Sequence, residues 1–161
     1  MEIRIGNSVN EYLILDVLGR KRPDLTDNST LNWLDVKASI CVGGFTGQIR
    51  QDLYTDELYW FEQKLENLFN TLNGEAVLDA MEKWIYLKFE GDGKGHVACS
   101  GEVTDRYDYG NVLKININLD QTYLPNIINA LKELLETYPV FGLNPQIQAA
   151  MKLSLSRKIP Q

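Results

Sequence analysis

The sequence predicts an α+β fold in which about seven to eight strands form a curved antiparallel sheet or partial barrel with two amphipathic helices. Apolar and polar residues alternate along several segments, as strands with one buried face require. Two other segments repeat apolar residues every three or four positions, which is typical of amphipathic helices. The strand-like segments are joined by short turns, and this favours antiparallel pairing of neighbouring strands.

The N-terminal third predicts four strands arranged as two hairpins. Glu2–Gly6 and Glu11–Gly19 form the first hairpin, and residues 31–54 form a longer one that turns at Gly43-Gly44. The second strand has few polar positions, which predicts that both of its faces are covered. The polar segment between the two hairpins is predicted to be a loop.

The clearest predicted element is a helix over residues 55–72. Thr55 is the expected N-cap, and Asn73 or Gly74 is expected to end the helix in the left-handed conformation. Its apolar stripe consists of Leu58, Phe61, Leu65, Leu68 and Leu72. Trp60 lies off the centre of that stripe and is expected to be partly exposed, whereas Trp33 and Trp84 are expected in the core.

The C-terminal half predicts further strands and the second helix. The strands are expected over residues 75–80, 83–90, 96–104 and 111–119, and the last three form a meander because only short turns separate them. The second helix is expected over residues 120–137. We expect a single domain over residues 1–161, with a core of 1–138 and a C-terminal extension, 139–161, in which 147–155 has helical potential.

The net charge of −6 is concentrated in the middle of the chain. Residues 52–108 hold 13 acidic and 5 basic side chains, a net of −8, and the remainder has a net of +2. Such a block would attract a basic protein partner and disfavours nucleic acid as a direct partner. The same charges also fit the solvated faces of one helix and several hairpins.

Composition also limits location and redox state. The N-terminus has no charged region followed by a long apolar stretch, so we expect no secretion signal. No window approaches 18 apolar residues, so we expect no membrane span and a cytoplasmic protein. Cys41 and Cys99 lie in separate strand-like segments and are expected to be buried free thiols.

Catalytic and metal motifs fail on spacing, so we expect no enzyme activity, no cofactor and no metal. The glycine-rich segment 91–95 lacks the lysine–serine or lysine–threonine pair of a phosphate loop, and a strand follows it. His96 is the single histidine and lacks paired cysteines, and no Gly-x-Ser-x-Gly nucleophile motif occurs. One alternative stays open: Glu102, Asp105, Asp108 and Tyr109 could converge with His96 in a cleft for a small ligand or a reaction.

A partner-binding surface is predicted around the polar loop 105–110, because arginine and tyrosine dominate interface energetics. An ordinary exposed turn has the same composition. The predicted contact residues are Asp92, Glu102, Asp105, Tyr107, Asp108, Tyr109, Glu62 and Glu66. A homo-oligomer that uses Tyr59, Trp60 or residues 141–155 is a further alternative, although we favour a monomer.

Five segments carry a resemblance to a known family. They are Tyr12-Leu13-Ile14-Leu15-Asp16-Val17-Leu18-Gly19-Arg20, Asn32-Trp33-Leu34, Gly43-Gly44-Phe45-Thr46-Gly47, the helix through Phe61 and Leu65 to Leu72-Asn73-Gly74, and Leu119-Asp120-Gln121-Thr122-Tyr123-Leu124. In order and spacing they resemble the WapI-type bacterial immunity proteins, over roughly residues 12–137. The resemblance implies a protein without enzyme activity that neutralises the C-terminal domain of a secreted toxin, often a nuclease, by occlusion. It carries over no contact residues.

Overall fold

The computed structural model describes residues 1–106, 108, 110–143, 146, 149 and 153, and within them eight strands form two four-stranded antiparallel sheets. The sheet orders are β1-β2-β3-β4 and β5-β6-β7-β8, so each sheet is a simple meander. The strands are β1 (Glu2–Ser8), β2 (Glu11–Arg20), β3 (Trp33–Val42), β4 (Phe45–Tyr54), β5 (Asn73–Asp79), β6 (Ile85–Asp92), β7 (His96–Thr104) and β8 (Val112–Asp120). The α+β prediction is confirmed, and the sheets do not close into a barrel.

The first sheet buries one face only. In β2, Leu13, Leu15 and Val17 are buried, whereas Ile14 is half-buried and Leu18 is exposed. The prediction that both faces of β2 are covered is therefore wrong. In the described part of the chain, the outward residues of β2 are half-buried or exposed, so this side of the strand is only partly covered. The alternating burial follows from the side-chain period of two in a strand.

In the second sheet, too, buried and exposed residues alternate along all four strands. The inward rows of β6 and β7 include Leu87, Phe89, Val97 and Cys99, all of which are buried. Strand β7 has the predicted bounds, and its neighbours differ from prediction by one or two residues at their ends. Burial raises the pKa of the Cys99 thiol to about 12, which keeps this free cysteine in its neutral, unreactive form.

The long helix α2 (Thr55–Thr71) matches its prediction, but both of its ends differ in detail. Tyr54 is the N-cap rather than Thr55, and the Tyr54 amide donates to Glu57 Oε2 at 2.9 Å. Thr55 is instead fully buried. Its amide donates to the Asn32 carbonyl, and its hydroxyl donates to Asn32 Oδ1. At the other end Leu72 has a φ of 58°, so the left-handed residue precedes the predicted pair.

The second long helix, α3, begins after a short 3₁₀ turn. The turn spans Gln121–Tyr123, and the helix spans Leu124–Thr137. Asp120 caps the turn by accepting from the Thr122 amide at 2.8 Å. A four-residue helix, α1 (Asn28–Leu31), lies in the segment that was predicted to be a loop. Among the described residues, no helix has the length and apolarity needed to cross a membrane.

Both sheets and both long helices contribute to one hydrophobic core. Helix α2 packs along β5 and α3, and α3 also packs on β1. The sheets approach each other where the Asn7 Nδ2 donates to the Asn118 carbonyl at 2.9 Å, and where the buried Trp84 Nε1 donates to the Asp52 carbonyl at 2.6 Å. The inward face of each sheet is thus covered, and the outward faces are left for other contacts.

The chain beyond α3 is tied to the body of the protein up to residue 143. Asn32 Oδ1 accepts from the Phe141 amide at 2.8 Å, and Asn32 Nδ2 donates to the Phe141 carbonyl at 3.0 Å. Arg20 donates to the Pro139 carbonyl and lies 4.8 Å from the Phe141 ring centre. The predicted helical stretch 147–155 lies almost wholly outside the described residues.

Candidate partner-binding face

The outward side of the second sheet carries a concentrated negative charge. The strand register places every second residue there, and the alternating burial of β5–β8 agrees with this assignment. Six carboxylates lie on this side against two lysines, Lys88 and Lys114, which gives a net charge of −4. We call this surface the acidic face, and its carboxylates are Glu75, Asp79, Glu90, Asp92, Glu102 and Asp120.

The outward side of the first sheet differs in its charge balance. Its four acidic residues, Glu2, Asp16, Asp35 and Asp52, oppose the three basic residues Arg4, Lys37 and Arg50. Three of these carboxylates also hold ion pairs. Asp16 pairs with the N-terminal amine, Asp35 with Arg50, and Asp52 with Lys21 at 2.7 Å. Only the second sheet therefore presents a surface with a substantial excess of one sign.

Lysines order several carboxylates of the acidic face. Lys88 lies between Glu75 and Glu90, with its Nζ at 3.4 Å and 3.0 Å from their oxygens. Lys83 Nζ is 2.9 Å from both oxygens of Asp79. Hydrogen bonds to these carboxylates raise the pKa of Lys88. The exposed pairs contribute little to stability, but they fix where the negative charge lies.

Asp92 stabilises the turn between β6 and β7. Its Oδ1 accepts from the amides of Lys94 and His96, and its Oδ2 is 2.7 Å from His96 Nδ1. The bond with His96 is the largest cause that lowers the pKa of Asp92. His96 is an exposed strand-end residue, as predicted. Asp92 thus has a structural role at one end of the acidic face.

Glu102 lies at the other end of the same face. It is the cross-strand neighbour of Tyr86 on one side and of Lys114 on the other, and it is exposed. The next loop is held by Asp105, which accepts from the Asn111 amide at 2.7 Å and from its side chain at 2.8 Å. Those bonds lower the pKa of Asp105, so this carboxylate is committed to the turn.

Asp108, another predicted contact residue of this loop, is exposed. In the sequence it lies close to Glu102, which is at one end of the acidic face. Tyr107 and Tyr109 lie outside the described residues. The structure thus brings Glu102 and the loop residue Asp105 to one end of the second sheet, while Asp92 lies at the opposite end.

The two helix residues in the predicted contact set have different positions. Glu62 is fully buried, which contradicts its placement on a contact surface. It lies between α2 and α3, where its Oε1 is 3.8 Å from the Nζ of the buried Lys132. Glu66 is partly exposed and lies 2.9 Å from the same Lys132 nitrogen. Helical spacing alone did not reveal that Glu62 is buried, because α3 covers the polar flank of the apolar stripe of α2.

The predicted catalytic cleft does not form from the described residues. His96 and Glu102 are six residues apart along β7, a separation of roughly 20 Å at about 3.3 Å per residue. The depression beside Tyr86, Glu102 and Lys114 has a volume of about 480 Å³, but it is shallow and open to solvent. Enclosed, mainly apolar pockets are typical of small-ligand sites. Among the described side chains, no group of three or more potential metal ligands occurs.

Comparison with known proteins assigns the chain to a protein family. The sequence model of the WapI-like immunity protein family matches residues 4–139, from β1 to just beyond α3. The chain belongs to the WapI-like immunity protein family. A comparison with curated proteins gives no match. Membership in this immunity family points to a toxin-neutralising role without enzyme activity and implies a protein toxin as the partner.

In this WapI-like protein, several residues of the acidic face were missed by the sequence analysis. Glu75, Asp79, Tyr86 and Glu90 share the outward side with Glu102, but their segments were analysed separately. Their alternation with buried neighbours was a usable signal once the strands were paired in register. The exposed position of Trp60 is confirmed, at 48%. Tyr59, the other aromatic residue suggested for an oligomer interface, is buried.

Proposed function

We propose that this chain neutralises a secreted bacterial toxin domain by binding it through the acidic face and occluding its functional surface. Family membership supports the neutralising role, and the single observation that supports the face is its net charge of −4, against −1 on the outward side of the first sheet. The matching partner has a basic surface. A nuclease domain fits this requirement because binding of nucleic acid phosphates depends on lysine and arginine.

The proposed contact set follows from exposure and position. It contains Glu102, Asp108 and Asp92, and it adds Glu75, Asp79 and Glu90 from the register. Tyr107 and Tyr109, which lie outside the described residues, stay in the proposed set on sequence grounds alone. Glu66 lies on α2, apart from the sheet, and we place it at the margin of the contact. A surface of one sign steers an oppositely charged partner and accelerates association, and salt screens this effect.

Occlusion requires binding alone, and the chemistry of the face fits that role. Four of its six carboxylates are held by Lys83, Lys88 or His96 rather than gathered around a reacting group. We propose that neutralisation takes place in the cytoplasm, where a reducing environment suits the two free cysteines, Cys41 and Cys99.

The direct test is co-expression with the toxin domain encoded immediately upstream. We expect the chain to protect cells, and we expect the two purified proteins to elute as one complex in size-exclusion chromatography. Cells that die despite normal levels of the chain, with no complex on the column, would refute the proposal.

A charge-reversal pair tests the face itself. Glu90→Lys changes an exposed position of the acidic face, and Glu2→Lys changes an exposed position on the first sheet by the same charge. We expect the first variant to lower the association rate about tenfold at low salt, while the second leaves it within about twofold. Equal effects from both variants would assign the interaction to net charge rather than to the acidic face.

A further inference from the structure

Two exposed aromatic side chains flank Asp79 of the acidic face: Tyr86 lies on the face itself, and Trp60 lies on the adjacent helix α2. Asp79, Tyr86 and Glu102 are successive cross-strand neighbours in β5, β6 and β7. Trp60 on α2 lines a depression together with Val77 and Asp79 of β5. The aromatic strip, defined as Trp60, Val77, Asp79, Tyr86 and Glu102, therefore runs from α2 across three strands.

The aromatic rings of the strip are exposed for a structural reason. Every α2 residue from Leu58 to Glu62 is buried except Trp60, so the helix turns this one ring away from the core. Trp60 packs edge-on against Tyr59, with the ring centres 5.0 Å apart, which limits its freedom. Tyr86 is 38% exposed and stands on a strand with neighbours on both sides. Neither ring is needed to fill the core.

Each ring lies in a depression lined by at least one carboxylate and by one lysine. Asp56, Glu57, Asp79 and Lys64 line the depression that contains Trp60, and Glu102 and Lys114 line the one that contains Tyr86. Rigid aromatic side chains lose little entropy when they are covered, and tryptophan and tyrosine are enriched among the residues that dominate binding energy. Arginine is the natural counterpart here, because it stacks on an aromatic ring while it donates to a neighbouring carboxylate.

We propose that Trp60 and Tyr86 are the anchors of the toxin interface, and that their occupant is a protein surface whose arginine or lysine side chains border an apolar patch. The choice of occupant rests on charge complementarity with the acidic face, and the inference rests on the proposed function. The strip supplies the strength and position of binding, while the wider face supplies the steering.

The test compares three alanine substitutions in the full chain. The probe is a catalytically inactivated form of the toxin domain encoded directly upstream, and the dissociation constant is measured by calorimetry. We expect Trp60→Ala and Tyr86→Ala each to weaken binding by at least about 30-fold. The matched control is Phe45→Ala, which removes a more exposed aromatic ring, at 67%, from the turn of the first sheet. We expect it to change affinity less than threefold.

The outcomes separate this inference from the proposed function. Wild-type binding with unchanged affinity in both strip variants overturns the anchor assignment and leaves the immunity role intact. Absence of any wild-type complex overturns both. Equal urea midpoints of the variants and the wild type exclude loss of folding, and Val77→Arg provides a second readout because it introduces bulk and positive charge between the anchors. Retained affinity in Val77→Arg also contradicts the inference.

Discussion

Replacing Lys132 by methionine is expected to lower the free energy of unfolding by about 3–5 kcal/mol at pH 7. Lys132 is fully buried between α2 and α3, and its Nζ lies 2.9 Å from Glu66 and 3.8 Å from Glu62. Glu66 is partly exposed and can be solvated. Glu62 is fully buried, its Oε1 has no hydrogen-bond partner among the described residues, and Lys132 neutralises its charge. Methionine keeps the length and apolar stem of lysine, so the loss measures an uncompensated charge rather than a cavity.

The pH dependence of this loss follows from Glu62. Burial is the largest cause that raises the pKa of Glu62, and the positive charge of Lys132 lowers it, so removal of Lys132 raises it further. A carboxyl with a raised pKa in the folded state binds its proton more tightly there than in the unfolded state. The free energy of unfolding therefore falls as the pH rises from the ordinary pKa of the carboxyl to its raised pKa in the folded state. The difference between Lys132→Met and wild type should therefore be large at pH 7 and small at pH 4, which lies below both the ordinary pKa of Glu62 and its raised pKa in the folded state.

Urea unfolding monitored by circular dichroism measures these differences, and Glu62→Gln provides the matched background. In that background Lys132→Met should cost only about 1 kcal/mol, because no buried carboxylate is left without a cation. The reasoning would be refuted by a loss that is the same at pH 4 and pH 7, or by a loss that is equally large with and without Glu62.

Substitutions at four further positions test the fold by urea unfolding. Gly101→Ala should cost about 3 kcal/mol, because its Cβ would lie 2.1 Å from the Tyr86 carbonyl, whereas Gly47→Ala, with no atom within 4 Å, should be nearly neutral. Lys83→Gly should be about 1 kcal/mol more stable than Lys83→Ala, because residue 83 has a φ of 54°. Asn32→Ala should lower the free energy of unfolding by about 2–3 kcal/mol, because it removes the side-chain hydrogen bonds to Thr55 and Phe141. A loss below about 0.5 kcal/mol would contradict this prediction.

Most of the strands and both long helices could be predicted because their patterns are local. The bounds of β4 and β7 follow from alternation between clear turn residues, and α2 follows from its apolar stripe. The end of α2 could not be predicted in the same way. The close approach of Gly91 to the Leu72 carbonyl and the bond from the Gly93 amide to that carbonyl place the left-handed residue at Leu72, and both contacts are tertiary.

The acidic face was harder to predict than the helices and strands, because acidic residues have different roles at similar spacing. Glu62 and Glu66 are four residues apart on one helix, yet one is buried against Lys132 and the other reaches solvent. Whether a polar helix flank is exposed depends on α3, which lies more than 50 residues further along the chain. The acidic face likewise depends on the pairing of four strands, so no single segment could reveal its charge.

Some carboxylates of the acidic face are already paired with lysines and others are not, and the two kinds are expected to have different roles in partner binding. Glu75, Glu90 and Asp79 are already paired with Lys88 or Lys83, so a basic partner must compete with these lysines for them. Their net field still attracts the partner from a distance, where pairing details matter little. Glu102 differs because its nearest described neighbours are Tyr86 and Lys114 across the sheet, without an ion pair in the described part of the chain. A partner cation that reaches Glu102 gains a new contact beside an aromatic ring, so discrimination between toxins should depend more on Glu102, Tyr86 and Trp60 than on the total charge.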